Sequence, residues 1–219
     1  LVGIVLLGVS GGIDSTVAAL LIQKAIGDRL KCVFVDNGLL RLGEAKEIEA
    51  MFAKNFKVNF TKMDGKKQFL SKLKGVVDPE EKRKVIGEEV VRVFTDFAKD
   101  NGPFVWLAQG TLYPDVIESG VSKGPADVIK THHNVGGLPD WLHLKVLEPL
   151  RELYKDEVRN IAKILDVPEN LLIRSPFPGP GLPASLPGRV SKKQLDLTIL
   201  HSALVDEELQ KTEMIDKRQ

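Results

Sequence analysis

Several features that define common protein classes are scarce in this sequence of 219 residues. Cys32 is the only cysteine, which excludes an intrachain disulfide, a cysteine-based zinc cluster and any mechanism that needs two thiols. No apolar run approaches the roughly 20 residues that a membrane-spanning helix requires. The start, LVGIVLLGVSGG, lacks the basic flank and the cleavage pattern of a signal peptide. We therefore expect a soluble, cytoplasmic protein.

Neither sign of charge is in clear excess. Lys and Arg total 31 and Asp and Glu total 30, which leaves a formal net charge of +1. This balance disfavours a generally basic protein that binds nucleic acid or a membrane surface. Apolar residues make up 43% of the chain, a share typical of globular proteins that can bury a core. Length alone allows one or two domains.

Short β-branched runs alternate with longer segments of helical period, which predicts an α/β fold with an open, mostly parallel twisted sheet flanked by helices. The predicted strands cover residues 2–9, 30–35, 58–63, 104–109 and 142–147. The predicted helices cover residues 14–26, 44–55, 66–74, 78–100, 152–165 and 191–211. Residues 111–141 show little periodicity, and we expect them to form a long loop, a feature that is often functional in a compact domain.

The segment S-G-G-I-D-S-T lies between the first predicted strand and the first predicted helix. Its glycines allow a tight turn and a close approach by a ligand, and the N–H groups at the start of a helix favour an anion. The segment lacks the lysine of the G-x-x-x-x-G-K-[ST] loop. From the glycines alone, a simple turn capped by Asp14 or Ser15 is an alternative. The predicted phosphate site consists of Ser10, Gly11, Gly12, Ile13, Asp14, Ser15 and Thr16.

The string S-G-G-x-D-S resembles the signature of the ATP pyrophosphatases, which cleave ATP between its α and β phosphates. The resemblance implies that the loop holds the leaving pyrophosphate, that Asp14 helps to place Mg²⁺, and that adenine lies against the backbone near Val35. Fixed N–H dipoles and a divalent cation would stabilise such a leaving group. Val35 ends the second predicted strand, at the edge where open α/β sheets bind ligands. The following Asn37-Gly38 could also be a simple turn.

Longer strings resemble the synthetase domain of the GMP synthetases. They are T-L-Y-P-D-V-I-E-S at 111–119, K-T-H-H-N-V-G-G-L-P at 130–139, E-P-L-R at 148–151, K-D-E-V-R at 155–159 and P-F-P-G-P-G-L at 176–182. The resemblance implies that ATP adenylates the xanthine oxygen of XMP, and that ammonia from a glutamine amidotransferase domain or subunit then displaces AMP to give GMP. It also implies an ATP pyrophosphatase domain at 1–182, followed at 183–219 by a linker and the start of a dimerisation domain that forms a homodimer.

The resemblance also assigns roles to individual residues. Residues 111–141 would form a lid that keeps water from the adenylate. Lys130 is the candidate for stabilising charge on the phosphates, and His132 and His133 are candidate lid and substrate contacts that could transfer protons. Two adjacent histidines without a third ligand do not suffice for a zinc site. The other candidate substrate contacts are Arg83, for the XMP phosphate, and Asp115, Glu118, Thr131, Asn134, Pro178 and Gly179.

Alternatives to these assignments remain open. Lys82, Arg83 and Lys84 could form a solvated helix face. Ser185 stands where the family has an arginine, and Arg189 stands where it has a glutamate. These differences motivate nucleotide binding without catalysis as an alternative function. Because several activities share the S-G-G-x-D-S loop, amidation of a different adenylated acid, as in NAD synthetase, is a second alternative.

Overall fold

The computed structural model describes residues 2–121, 144–172, 186 and 188–211. The strands in this part of the chain are β1 (Val5–Gly8), β2 (Leu30–Asp36), β3 (Asn59–Asp64), β4 (Trp106–Ala108) and β5 (Lys145–Leu147). The helices are α1 (Ile13–Ile26), α2 (Glu44–Asn55), α3 (Lys66–Leu73), α4 (Pro79–Asn101), α5 (Tyr113–Val121), α6 (Lys155–Ile164), α7 (Glu169–Leu172) and α8 (Lys192–Lys211). The predicted alternation of strands and helices is confirmed.

The five strands form one sheet in the order β3-β2-β1-β4-β5, and every neighbouring pair is parallel. The predicted α/β fold with an open parallel sheet is therefore confirmed. The strand order changes direction between β1 and β4. The loops that follow these two strands consequently border a crevice at the carboxyl edge of the sheet, which is where open α/β sheets bind ligands.

The central strand β1 is apolar throughout because both of its faces are covered. Leu7 faces the larger core, where α1, α2 and α6 pack against the sheet. Leu6 faces the other side and packs with Phe94 and Phe97 of α4. Both leucines have no exposed surface. The loop after β1 is thus held by a rigid, fully buried strand.

Cys32 lies buried in β2, as the sequence predicts. Its burial raises the pKa of the thiol to about 12, because the charged thiolate would lose its hydration. The thiol therefore stays protonated at neutral pH and packs as a small apolar side chain. Cys32 therefore does not provide the reactive thiol that enzymes of sulfur transfer need.

Several element boundaries and one loop differ from the sequence prediction. β1 and β4 are shorter than predicted at both ends. The expected loop at 111–141 is wrong for its first part, since residues 113–121 form α5. The reason is local: Asp115 Oδ2 accepts a hydrogen bond from Leu112 N at 2.9 Å, and Pro114 is tolerated in the first turn of a helix. Residues 122–143 lie outside the described residues.

None of the helices in the described ranges is long and apolar enough to cross a membrane.

Candidate active site

The loop after β1 is held in shape by its glycines and serines. Gly11 has φ +80°, a conformation that favours glycine, and a Cβ there would lie 2.6 Å from Ile48 Cγ1 of α2. Ser15 Oγ donates to Gly12 O at 3.1 Å and accepts from Ser10 N at 3.2 Å. Ser10 Oγ accepts from Gly12 N at 3.3 Å. The loop therefore has a fixed shape before any ligand arrives.

The N-terminus of α1 opens from this loop without a side-chain cap. Gly12 is the N-cap residue, and it provides no side-chain hydrogen bond. Thr16 N donates to Gly12 O at 3.2 Å and closes the first turn, so the N–H groups of residues 13–15 precede the first bond within the helix. Asp14 and Ser15 do not cap the helix, and the capped-turn alternative is therefore wrong. Uncapped N–H groups at a helix start form a site suited to an anion.

Asp14 is paired with Lys155, a residue to which sequence analysis assigned no role. Lys155 Nζ donates to Asp14 Oδ1 at 2.7 Å and to Oδ2 at 2.6 Å. Both side chains are partly exposed, at 30% for Asp14 and 43% for Lys155, so a ligand can reach them. Lys155 is the first residue of α6, and its position 141 residues away along the chain hides the pairing from any local pattern.

The loop after β4 presses against the first turn of α1. A Cβ at Gly110 would lie 3.1 Å from both Asp14 C and Ser15 N. Tyr113 N donates to Leu153 O at 3.0 Å, which ties the start of α5 to the chain before α6. These contacts bring the starts of α1, α5 and α6 together at the crevice. Sequence analysis missed Gly110 because a single glycine after a strand is a weak signal.

The loop after β2 lies at the same edge of the sheet, after the strand that neighbours β1. Asp36 is buried, and its Oδ1 accepts a hydrogen bond from Gly38 N at 3.2 Å. Its Oδ2 accepts no hydrogen bond but lies 3.1 Å from Lys66 Nζ. Asn37 Oδ1 accepts from Leu39 N at 2.9 Å, so the predicted turn at Asn37-Gly38 is present. Val35, the expected adenine contact, lies half-buried two residues before this turn.

The other predicted site residues divide into two groups. Arg83 lies near the start of α4, is partly exposed and forms an ion pair with Glu80. Asp115 is exposed and caps α5 through its bond to Leu112 N. The second group lies outside the described residues: Lys130, Thr131, His132, His133, Asn134, Pro178 and Gly179. Glu118 belongs to α5, but its side chain is outside the described set.

The residues at the crevice fit a single magnesium ion that receives most of its ligands from a bound nucleotide. The ammonium of Lys155, 2.6 Å from Asp14 Oδ2, marks a place where a cation is stable. No group of three or more His, Cys, Asp or Glu side chains forms a metal site among the described residues. Mg²⁺ commonly binds through one or two carboxylates together with phosphates and water. Asp14 is the residue that could hold it.

The chain is similar in sequence to several known proteins. Residues 2–93 match the family model for NAD synthase. Over 97% of its length the chain is 54% identical to proteins named GMP synthase [glutamine-hydrolyzing] from Vibrio parahaemolyticus and Marinobacter nauticus, and 53% identical to one from Fusobacterium nucleatum. The chain spans 41% to 42% of the length of these relatives.

Two solved structures share the fold at low sequence identity. An NMN synthetase from Francisella tularensis is 16% identical, with a TM-score of 0.58 over 81% of this chain and 67% of that protein. An NH₃-dependent NAD synthetase from Campylobacter jejuni is also 16% identical, with a TM-score of 0.56 over 98% of this chain and 82% of that protein. The chain therefore shares its fold with these synthetases and is similar over nearly its whole length to proteins named GMP synthase, of whose length it spans about two fifths.

Proposed function

We propose that this chain carries out the ATP-dependent part of GMP synthesis. In this reaction the xanthine oxygen of XMP attacks the α phosphate of ATP and pyrophosphate leaves, after which ammonia displaces AMP to give GMP. The observation that carries the proposal is the Asp14–Lys155 pair at the uncapped start of α1, inside the crevice between β1 and β4. The high identity to GMP synthases supports XMP as the substrate.

The start of α1 would receive the pyrophosphate. Its uncapped N–H groups and the positive end of the helix dipole stabilise negative charge as it develops on the leaving group. The rigid loop at Ser10–Gly12 keeps these donors in position, so little reorganisation is needed during the reaction. The β and γ phosphates of ATP would therefore lie over residues 13–15.

Asp14 and Lys155 would separate when ATP binds. Asp14 would hold Mg²⁺, which when bound neutralises charge on the phosphates. The ammonium of Lys155 would then turn toward the phosphate oxygens. Their negative charge would replace that of Asp14 as its partner. Both side chains are partly exposed, so this exchange requires no burial of an unpaired charge.

Activation by ATP has a simple chemical purpose. The xanthine oxygen is amide-like and leaves poorly, whereas its adenylate leaves readily. Lys130, His132 and His133, in the expected lid, remain candidates for stabilising the adenylate and excluding water from it. Ammonia would come from a glutamine amidotransferase domain or subunit. The domain boundary at 182 and a homodimer formed through a C-terminal domain also remain predictions.

An assay of the complete gene product tests the proposal. With XMP, ATP, magnesium and ammonia present, we expect AMP, pyrophosphate and GMP to form in equal amounts. Absence of XMP-dependent AMP release from a folded, complete protein would contradict the proposal. ATP binding without turnover of any acceptor would instead support a nucleotide-binding module.

A second candidate function is amidation of a different adenylated acid. The match of residues 2–93 to the NAD synthase model favours it, although that match covers less than half of the chain. Deamido-NAD is the discriminating acceptor. If the protein turned over deamido-NAD in preference to XMP, its function would be NAD synthesis and not GMP synthesis.

Replacing Lys155 by methionine is expected to lower the rate of XMP-dependent pyrophosphate release about 10- to 100-fold, because a charge near the phosphates is lost. The KM for XMP should change little. Steady-state pyrophosphate release, measured with saturating XMP, checks this. Lys163→Met, at an exposed position in the last turn of the same helix, is the control and should retain full activity. An equal loss in both variants would contradict the role of Lys155.

A further inference from the structure

Lys82 is a fully buried lysine outside the crevice. Its side chain has no exposed surface, although it belongs to the charged string K-R-K near the start of α4. Lys82 Nζ donates to Leu186 O at 2.6 Å and to Gly188 O at 2.8 Å. These carbonyls lie 104 and 106 residues further along the chain. Lys82 therefore joins two distant parts of the sequence through backbone hydrogen bonds.

The surroundings of Lys82 are unfavourable for a cation. The two carbonyl oxygens that accept hydrogen bonds from Lys82 Nζ carry no net charge. Lys82 also lies near the positive end of the α4 dipole. The nearby acids have other partners, since Asp78 Oδ1 accepts from Glu81 N at 2.8 Å and Glu80 pairs with Arg83. An apolar side chain of similar size would avoid the cost of burying this charge. The stability of the fold alone therefore does not favour lysine over an apolar residue at this position.

The segment that Lys82 holds is docked on α3 and α4. Val190 forms an isolated parallel bridge with Lys74, just after α3. Val190 and Leu195 are buried in a cluster with Phe69 and Ile86. Gly188 has φ +76°, which bends the chain directly beside the lysine. Leu186 and Gly188 are thus attached to α4, and Val190 to the residue that follows α3.

Two arginines directly follow, in sequence, residues that form the Lys82 contact. Arg83 follows Lys82 in α4, and its side chain is 37% exposed. Arg189 follows Gly188 and is exposed. Guanidinium groups bind phosphate groups well, often through two parallel hydrogen bonds. Fixing the backbone at residues 186 and 188 against Lys82 restricts where Arg189 can lie relative to Arg83.

We infer that Lys82 is a positioning residue for the nucleotide monophosphate substrate: its ammonium fixes residues 186–188 beside Arg83, so that Arg83 and Arg189 can together bind the phosphate monoester. This inference rests on the proposed function, which supplies XMP as the ligand. It assigns to Lys82 no contact with the substrate. Loss of the ammonium should weaken XMP binding and leave ATP binding at the crevice unchanged.

The test compares Lys82→Met with Lys84→Met in the complete gene product. Lys84 is exposed and lies in the same turn of α4, so it is a matched control for the loss of one positive charge. In Lys82→Met we expect the KM for XMP to rise about tenfold, because a binding group that is displaced from its position weakens substrate binding by about that factor or more. The KM for ATP should stay within about twofold of the wild-type value. Lys84→Met should show neither change.

Hydrogen exchange gives a second readout that does not depend on activity. The backbone amides of Leu186, Gly188, Arg189 and Val190 should exchange faster in Lys82→Met without ligand, and at the wild-type rate in Lys84→Met. Faster exchange with an unchanged KM for XMP would show a purely structural anchor and overturn the inference. Unchanged exchange would also overturn it.

Gly188→Ala tests the same contact from the other side and serves if Lys82→Met does not fold. The positive φ at Gly188 is unfavourable for alanine, so the segment should shift without loss of the lysine. We again expect a higher KM for XMP and an unchanged KM for ATP, and an unchanged KM for XMP would overturn the inference. A wild-type protein that does not turn over XMP would contradict the proposed function itself, and this result is distinct from any difference between variants.

Discussion

Replacing Asp14 by asparagine is expected to reduce magnesium-dependent pyrophosphate release by about 100- to 1,000-fold, the range observed when a group that stabilises transition-state charge is removed. Asparagine keeps the size of the side chain but removes the charge that would bind Mg²⁺ and that now pairs with Lys155. The measurement is the rate of XMP-dependent pyrophosphate release as a function of magnesium concentration.

Two comparisons make the Asp14 result specific. Asp28→Asn, at an exposed position after the other end of α1, removes the same charge away from the crevice and should leave activity unchanged. The double variant Asp14→Asn with Lys155→Met should lose less activity than the product of the two single losses, because the two side chains act as a pair. Equal losses in adenylation and in XMP affinity would argue against a role for Asp14 in placing magnesium.

Replacing Gly11 by alanine is expected to lower kcat/KM for ATP by at least about tenfold and to destabilise the protein. The left-handed conformation costs alanine about 1–2 kcal/mol, and the new Cβ would collide with Ile48. The loop must then move away from α2, and the N–H groups at the start of α1 move with it. Thermal unfolding and ATP kinetics measure the two effects.

Gly27→Ala separates backbone strain from displacement of the loop. Gly27 ends the same helix with φ +62°, and a Cβ there meets nothing within 4 Å. We expect Gly27→Ala to lower Tm by a few degrees without a change in the KM for ATP. Adding Ile48→Ala to Gly11→Ala should restore part of the ATP kinetics, because it removes the collision. Equal effects of Gly11→Ala and Gly27→Ala on ATP kinetics would contradict this explanation.

Much of the fold was predictable because its signals are local. An aspartate followed by a proline favours a helix start, and Asp78 does cap α4 through Glu81 N, with Pro79 in the first turn. Gly27 was predicted to end α1, and it does so with a positive φ. The burial of Cys32 followed from the apolar run around it. Each of these signals involves residues only a few positions apart.

The start of α5 shows where local signals were misread. Residues 111–141 are expected to form a loop, yet residues 113–121 form α5, with Pro114 and Asp115 in its first turn. Both residue types are common in the first turn of helices. The short apolar pattern that follows was too weak to outweigh the glycines further along the loop.

The string K-R-K illustrates a limit of sequence patterns. It predicted either a solvated helix face or a substrate contact, whereas the structure buries Lys82, pairs Arg83 with Glu80 and exposes Lys84. A run of three basic residues cannot show which one faces inward, because the direction of each depends on what packs against the helix. Here the deciding partners are the carbonyls of Leu186 and Gly188.

The sequence by itself determined the strand and helix alternation, the glycine-rich loop with Asp14 before the first helix and the family resemblance, because these depend on periodicity, capping and short motifs. Only the tertiary structure placed Lys155 on Asp14, Gly110 against the first turn of α1 and Lys82 under residues 186–188. The physical reason is distance along the chain. These contacts join residues about 95 to 141 positions apart, and it is the strand order β3-β2-β1-β4-β5 and the packing of the helices on the sheet that bring them together.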